Sequence, residues 1–212
     1  MRENLKIIIF DMDGVVIDSE PLHENARQMM FQKRNIVPDE TFPSPVGAPA
    51  FAYWGEVMKL CHLEGNPYDY ENEQYALVAQ QIEKNHVQPE EGFWDVVHWA
   101  RENGLKVGLA STSTRELIDR TLCLLKVKEA FDYTVSANDI QRKKPAPDPY
   151  LKVLEMAGFS PEEAVAVEDS TPGVQSAKNA NIYCYGYANP KAVVQYVSLA
   201  DKIIENLKEI IE

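Results

Sequence analysis

Two aspartates one residue apart, Asp11 and Asp13, close the apolar run Ile7–Phe10 in the stretch IIIFDMDGVVIDSE, and Gly14 follows them. An aspartate at the end of a buried strand can attack phosphorus and form an aspartyl phosphate. A second carboxyl two residues on can protonate the leaving group and then activate a water molecule. Carboxylates this close repel one another, and a divalent cation relieves that repulsion while shielding an approaching phosphate. A glycine at position 14 lets the loop turn tightly. A solvated Asx-type turn accounts for the same residues without any chemistry.

Three further polar clusters stand where apolar runs end. Ser111 closes LKVGLA, and Thr112 and Ser113 lead into a helical pattern. Hydroxyls and backbone N–H groups at a helix N-terminus form an anion site. Ser113 with Glu116 also reads as a capping box, which would leave Ser111 to face a ligand. Lys144 opens KPAPDPY, where Pro145 and Pro147 stiffen the approach to a helix. A lysine presented in this way can neutralise phosphate oxygens and the attacking carboxylate, or it is simply solvated, as is expected of Lys143. Glu168 and Asp169 follow AVAV and precede Ser-Thr-Pro-Gly, with Pro172 suited to a first helical turn. A second acidic pair at a second strand end can complete an oxygen-rich Mg²⁺ site; alternatively Asp169 is a helix N-cap. The four clusters together carry more weight than any one of them, because chance does not readily place all four at strand ends.

The elements that would position them follow from hydrophobic pattern. Short apolar runs at 105–110, 133–136, 164–167, 182–187 and 201–204 read as strands, the last a short edge. Helical patterns at 91–103, 115–125, 149–157 and 172–179 lie between them. Such alternation predicts a Rossmann-like parallel sheet covered on both faces, a three-layer α/β/α core. Residues 21–87 differ: they read as helical throughout, with breaks at 37–49 and 65–70, and are expected to form an inserted α-helical cap domain. The core would then be discontinuous, comprising 1–20 and 88–212. In open parallel sheets ligands bind at the carboxyl ends of strands, so an insert leaving the first strand there would act as a lid.

Composition narrows the field. With 21 Lys and Arg against 33 Asp and Glu, the formal net charge is −12, which argues against nucleic acid as a partner. An anionic substrate therefore needs local positive charge to offset the overall field. No apolar stretch approaches a membrane span, and the N-terminus lacks a signal-peptide pattern, so a soluble cytoplasmic protein is expected. Cys61, Cys123 and Cys184 are scattered and form no paired framework, in keeping with thiols in a reducing compartment. Cys61-His62 has the look of a metal fragment but no companion at ligand spacing.

DMDGVVIDSE, GLASTS, KKPAPDPY and AVEDSTPGVQSAKNA together resemble the four motifs of the haloacid dehalogenase superfamily of phosphatases and phosphomutases. The likeness spans essentially the whole chain and is closest to the branch holding β-phosphoglucomutase and small sugar-phosphate phosphatases, with a helical cap after the first motif. The resemblance implies Asp11 as nucleophile, Asp13 as acid and base, and Ser111 (with Thr112 beside it) and Lys144 as phosphate binders. It implies Mg²⁺ held by Asp11, the backbone carbonyl of Asp13 and Asp169, with Glu168 touching the ion directly or through another ligand. Asp13 argues against dehalogenation, since dehalogenases of the superfamily lack that carboxylate. His23 lies where β-phosphoglucomutase also carries a histidine, which implies a hinge or substrate role; a surface helix histidine is the alternative. One departure matters. The mutase has an arginine after its cap glycine that clamps a second phosphate, whereas here Gly47 is followed by the uncharged, partly aromatic APAFAYW at 48–54. Those aromatics could contact a sugar or other ring but are expected in the cap core, and Lys33, Arg34, Lys59 or Lys84 could substitute for the missing cation. The expected activity is a Mg²⁺-dependent phosphatase acting on a small phosphorylated metabolite through an aspartyl phosphate. The alternatives are a sugar-phosphate mutase and a non-catalytic phospholigand-binding protein.

Overall fold

The computed structural model describes residues 4–45, 50–190 and 197–212. In chain order the main elements are β1 (Ile7–Phe10), α1 (Glu20–Lys33), α2 (Ala50–Leu60), α3 (Pro67–Asn85), α4 (Phe93–Glu102), β2 (Lys106–Ala110), α5 (Arg115–Leu124), β3 (Tyr133–Val135), α6 (Asp148–Ala157), β4 (Ala164–Glu168), α7 (Thr171–Asn179), β5 (Tyr183–Tyr187) and β6 (Lys202–Ile204). The chain divides into two compact units, Met1–Ser19 with Gln88–Glu212, and Glu20–Val87. The first boundary falls after Ser19 because Glu20 already begins α1. No helix among the described residues is long and apolar enough to cross a membrane.

In the larger unit the six strands make one sheet in the order β3-β2-β1-β4-β5-β6, and every pairing is parallel. A parallel pair needs a crossover, and helical segments supply those that link β1 through to β5. The central strand β1 is wholly buried, as a strand covered on both faces must be. Ile7 and Ile9 pack with Tyr150, Val153, Val174 and Ala177 from α6 and α7. Phe10 instead meets the Phe93 ring of α4 edge-on at 5.5 Å. The strand order reverses direction between β1 and β4, and the crevice at the carboxyl ends of such neighbouring strands is where an open α/β sheet binds ligands. Asp11 leaves β1 at that edge, Glu168 ends β4, and Ser111 follows β2.

The smaller unit is built on α1, α2 and α3. Its core gathers Met30, Phe31, Tyr53, Trp54 and Val57, with Phe42, Tyr70 and Leu77 packed against them. Tyr53 and Trp54 are therefore cap core, as expected; Gly47, Ala48 and Pro49 lie outside the described residues. The break expected at 65–70 is shorter than that. Helix α3 already starts at Pro67, with Asn66 as N-cap accepting the N–H of Tyr68. Asn-Pro reads as a turn, but it is equally a helix start, since Pro needs no N–H at the first position and Asn satisfies one orphan donor. Tyr70 thus sits on a helix and packs against Trp54, ring centroids 5.5 Å apart.

Replacing Asn66 with Ala removes this cap. The expected cost is about 1 kcal/mol, read as a lower urea midpoint with unchanged slope when the smaller unit is followed by Trp54 fluorescence; an unmoved midpoint would show that the cap contributes nothing.

Candidate active site

At the carboxyl end of the sheet a single ammonium joins two strands. Lys144 Nζ donates to Asp11 Oδ1 at 2.7 Å and to Glu168 Oε1 at 2.5 Å. Its side chain is only 7% exposed, and that of Glu168 is not exposed at all. Asp11 is fixed at its backbone as well, its N–H donating to the carbonyl of Val167 at 3.0 Å. Tyr150, buried on α6, donates its hydroxyl to the same Glu168 oxygen at 2.6 Å. Burial, and then the neighbouring Glu168, push the Asp11 carboxyl well above the usual carboxylate range, against the pull of Lys144. Burial also works against the Lys144 ammonium, but Asp11 and Glu168 outweigh it and hold Lys144 firmly protonated. Desolvated charges of this kind persist only when paired and hydrogen-bonded.

Asp169 completes the cluster. Asp11, Glu168 and Asp169 each offer a carboxylate oxygen, and the three lie within 4.8 Å of one another. Two glycines make the room. At Gly14, whose φ of +80° already suits glycine, a Cβ would stand 1.9 Å from Asp169 Oδ2; at Gly173 it would stand 1.9 Å from Glu168 Oε2. An all-oxygen set of converging carboxylates suits a hard divalent cation, so the residues present fit such an ion. The N-cap of α7 is Ser170, whose side chain accepts the N–H of Gly173. Asp169 is therefore not the cap, which the serine one residue later provides.

Asp13 has hydroxyl partners. Ser19 Oγ donates to its Oδ1 at 2.7 Å and Ser113 Oγ to its Oδ2 at 3.1 Å. The intervening loop is tight, with Val16 and Ile17 both donating to the carbonyl of Met12. Ser111 is buried, and its Oγ accepts the N–H of Ser113 at 3.1 Å. Thr112 lies between them in the same loop. The capping box expected of Ser113 with Glu116 does not form. Helix α5 begins at Arg115, Thr114 is its N-cap, and the Ser113 hydroxyl is engaged by Asp13 instead.

His23 belongs to α1 in the smaller unit. Trp54 Nε1 donates to Gln74 Oε1 at 2.6 Å, and Gln74 Nε2 lies 2.9 Å from His23 Nδ1. An indole can only donate, which sets the amide's orientation; the amide N–H then faces Nδ1, leaving the proton of a neutral imidazole on Nε2. Among the cap cations, Lys33 pairs with Glu73 at 2.8 Å, and Arg34 bonds the same carboxylate while lying 4.6 Å from the Tyr70 ring centre. Lys59 and Lys84 are exposed. Sequence reasoning missed Tyr150, Ser19 and the role of Ser113. Tyr150 was within reach of it, since a tyrosine in the apolar stripe of a helix needs a partner for its hydroxyl.

The family model of haloacid dehalogenase-like hydrolases matches residues 8–187. Hexitol phosphatase B of Escherichia coli (strain K12) is 30% identical over 198 residues, covering 87% of this chain and 84% of its own. The phosphorylated carbohydrates phosphatase of Thermotoga maritima is 28% identical over 222 residues, covering 98% of this chain and 100% of its own. In fold, the chain is similar to CbbY from Rhodobacter sphaeroides, solved in complex with phosphate, with a TM-score of 0.83 at 21% identity over 97% of this chain and 96% of the other. A strand-end carboxylate cluster tied by one lysine, a family match over most of its length and these relatives agree, and the chain belongs to the haloacid dehalogenase-like hydrolases.

Proposed function

We propose that this chain hydrolyses small phosphorylated metabolites of the sugar-phosphate type through an aspartyl phosphate on Asp11, with Mg²⁺ as the ion of its carboxylate cluster. It is a phosphoric monoester hydrolase of its family. The observation that carries the reading is the buried Lys144 bridge between Asp11 and Glu168, with Asp13 two residues from Asp11 and accepting from the Ser19 and Ser113 hydroxyls. The names of the hexitol and carbohydrate phosphatases support the substrate class.

In this mechanism an Asp11 carboxylate oxygen attacks phosphorus as the bond from phosphorus to the ester oxygen breaks. Asp13 gives its proton to the departing alkoxide. Asp13, now a carboxylate oriented by Ser19 and Ser113, takes a proton from water. The resulting hydroxide displaces Asp11 from phosphorus and releases inorganic phosphate. Lys144 holds Asp11 in place and, with Ser111 and Thr112, meets the phosphate oxygens. Asp11, Asp169, the backbone carbonyl of Asp13 and Glu168 would hold Mg²⁺, which would supply positive charge to let two anions approach. His23 offers a substrate oxygen an Nε2–H donor. Transfer to a second hydroxyl, as in a mutase, needs a cationic grip on a distal phosphate. Lys33 and Arg34 are both engaged by Glu73, Lys59 and Lys84 are exposed, and no arginine follows Gly47 in the stretch 48–54 of the sequence; the missing arginine favours hydrolysis.

Asp11→Asn keeps the shape and removes the nucleophile, and turnover should fall at least about a thousandfold. The same change should stabilise the metal-free protein near neutral pH. The folded-state pKa of Asp11 lies above its ordinary 3.8. Its proton therefore stabilises the fold below 3.8, and that contribution is lost as pH rises through the folded value. Asn never ionises, so in chelator its melting temperature should exceed the parent's at neutral pH, the gap closing towards acid. A lower melting temperature at neutral pH would contradict the crowding of charge inferred for Asp11.

Hydrolysis should cease in EDTA and return with Mg²⁺. With hexose phosphates in ¹⁸O-water, released inorganic phosphate should carry the label. A ³¹P NMR time course showing hexose 1-phosphate turning into hexose 6-phosphate with little free phosphate would make the chain a mutase.

A further inference from the structure

We propose that Tyr150 is a positioning residue that makes the carboxylate cluster select Mg²⁺ over Ca²⁺, by restricting Glu168 to one oxygen for the cation. The inference rests on the reading that the cluster holds a divalent ion. A carboxylate has about four acceptor sites, two on each oxygen. Both sites on Glu168 Oε1 are taken, by the Tyr150 hydroxyl at 2.6 Å and by Lys144 Nζ at 2.5 Å. Glu168 and Tyr150 are both 0% exposed, so bulk water does not compete for these bonds. Among the described residues Oε2 has a single long contact, 3.5 Å from Ser170 Oγ; the missing side chain of Gly173 makes room for the carboxylate as a whole, since a Cβ there would stand 1.9 Å from Oε2 and 2.4 Å from Oε1. Glu168 thus has one oxygen to give.

That constraint distinguishes the two ions. Mg²⁺ takes near-octahedral geometry and accepts one oxygen from each carboxylate, whereas Ca²⁺ fills a larger shell and readily takes both. Lys144 cannot impose the limit alone, because with the phenol gone one site on Oε1 reopens. The Tyr150 ring would survive a change to Phe, so its packing with Ile9, Val153 and Val174 is retained while only the hydroxyl is lost. The Tyr150 hydroxyl acts through Glu168, while its ring centre lies 5.4 Å from Lys144 Nζ and would remain there in Phe; it has no part in the proton transfers assigned to Asp13.

The test is calorimetric titration of the metal-free full chain with Mg²⁺ and with Ca²⁺, without substrate, for the parent and Tyr150→Phe. The parent should bind Mg²⁺ more tightly than Ca²⁺, and the variant should shift the ratio towards Ca²⁺ by about tenfold, the size of effect that partners of metal ligands commonly exert. A general loosening of the fold would weaken both ions together and leave the ratio unmoved. Binding of both ions by the parent with an unchanged ratio in the variant overturns this inference alone. A parent that binds neither ion overturns it together with the metal reading. Should the variant fail to fold, the parent still decides: Ca²⁺ bound as tightly as Mg²⁺ would defeat the proposal.

Discussion

One buried ammonium governs the arrangement at the head of this sheet. Lys144 touches Asp11 and Glu168, and Asp169 lies within the same few ångströms. Three carboxylates around one ammonium leave the pocket short of positive charge by about what a divalent cation carries. Burial makes that shortage expensive, since each charge has lost most of its water. Burial and the neighbouring Glu168 accordingly push the Asp11 carboxyl above the usual carboxylate range. In the proposed function, a divalent ion here would offset that shortage and help an anionic substrate approach a chain whose formal net charge is −12.

The fold serves that cluster. Placing β1 beside β4 brings residues more than 150 positions apart in sequence to neighbouring strand ends, with β1 paired to β4 from Ile7 to Phe10. Asp11 and Asp13 leave the same strand yet reach different surroundings. Asp11 meets an ammonium and two other carboxylates; Asp13 meets two neutral hydroxyls, from Ser19 and Ser113. In the proposed mechanism these different environments suit one carboxyl to attack and the other to carry a proton. The smaller unit contributes a separate polar chain, Trp54 to Gln74 to His23, in which a donor-only indole dictates the tautomer of an imidazole two bonds away.

Much of this was legible in the chain. The apolar runs predicted β1 to β6 to within a residue or so of their ends, because a strand buried on both faces has to be continuously apolar and a helix covering it has to be periodic. Asp11, Ser111, Lys144 and Glu168-Asp169 drew attention because each interrupts such a pattern at its end. Local capping was less legible. Ser113 with Glu116 satisfies the spacing of a capping box, yet Thr114 caps α5; Asn66-Pro67 looked like loop and begins α3. Several residues in a row can cap, and the choice among them is made by what else needs the hydroxyl, which for Ser113 is a carboxylate 100 residues away.

Residue types, strand ends and the acidic character of the chain are properties of the sequence, because they depend on covalent order and on the burial each run demands. Who pairs with whom is not. Tyr150 lay inside a motif already singled out, but its spacing indicates only a core-facing ring. Its bond to Glu168, and the filling of both sites on that carboxylate oxygen together with Lys144, exist only once α6 packs on the sheet and β4 pairs with β1. The sequence determined that carboxylates, a lysine and hydroxyls would meet at one edge of a parallel sheet. The tertiary structure alone decided which oxygen each one holds, because hydrogen bonds are directional over tenths of an ångström and residue spacing is not.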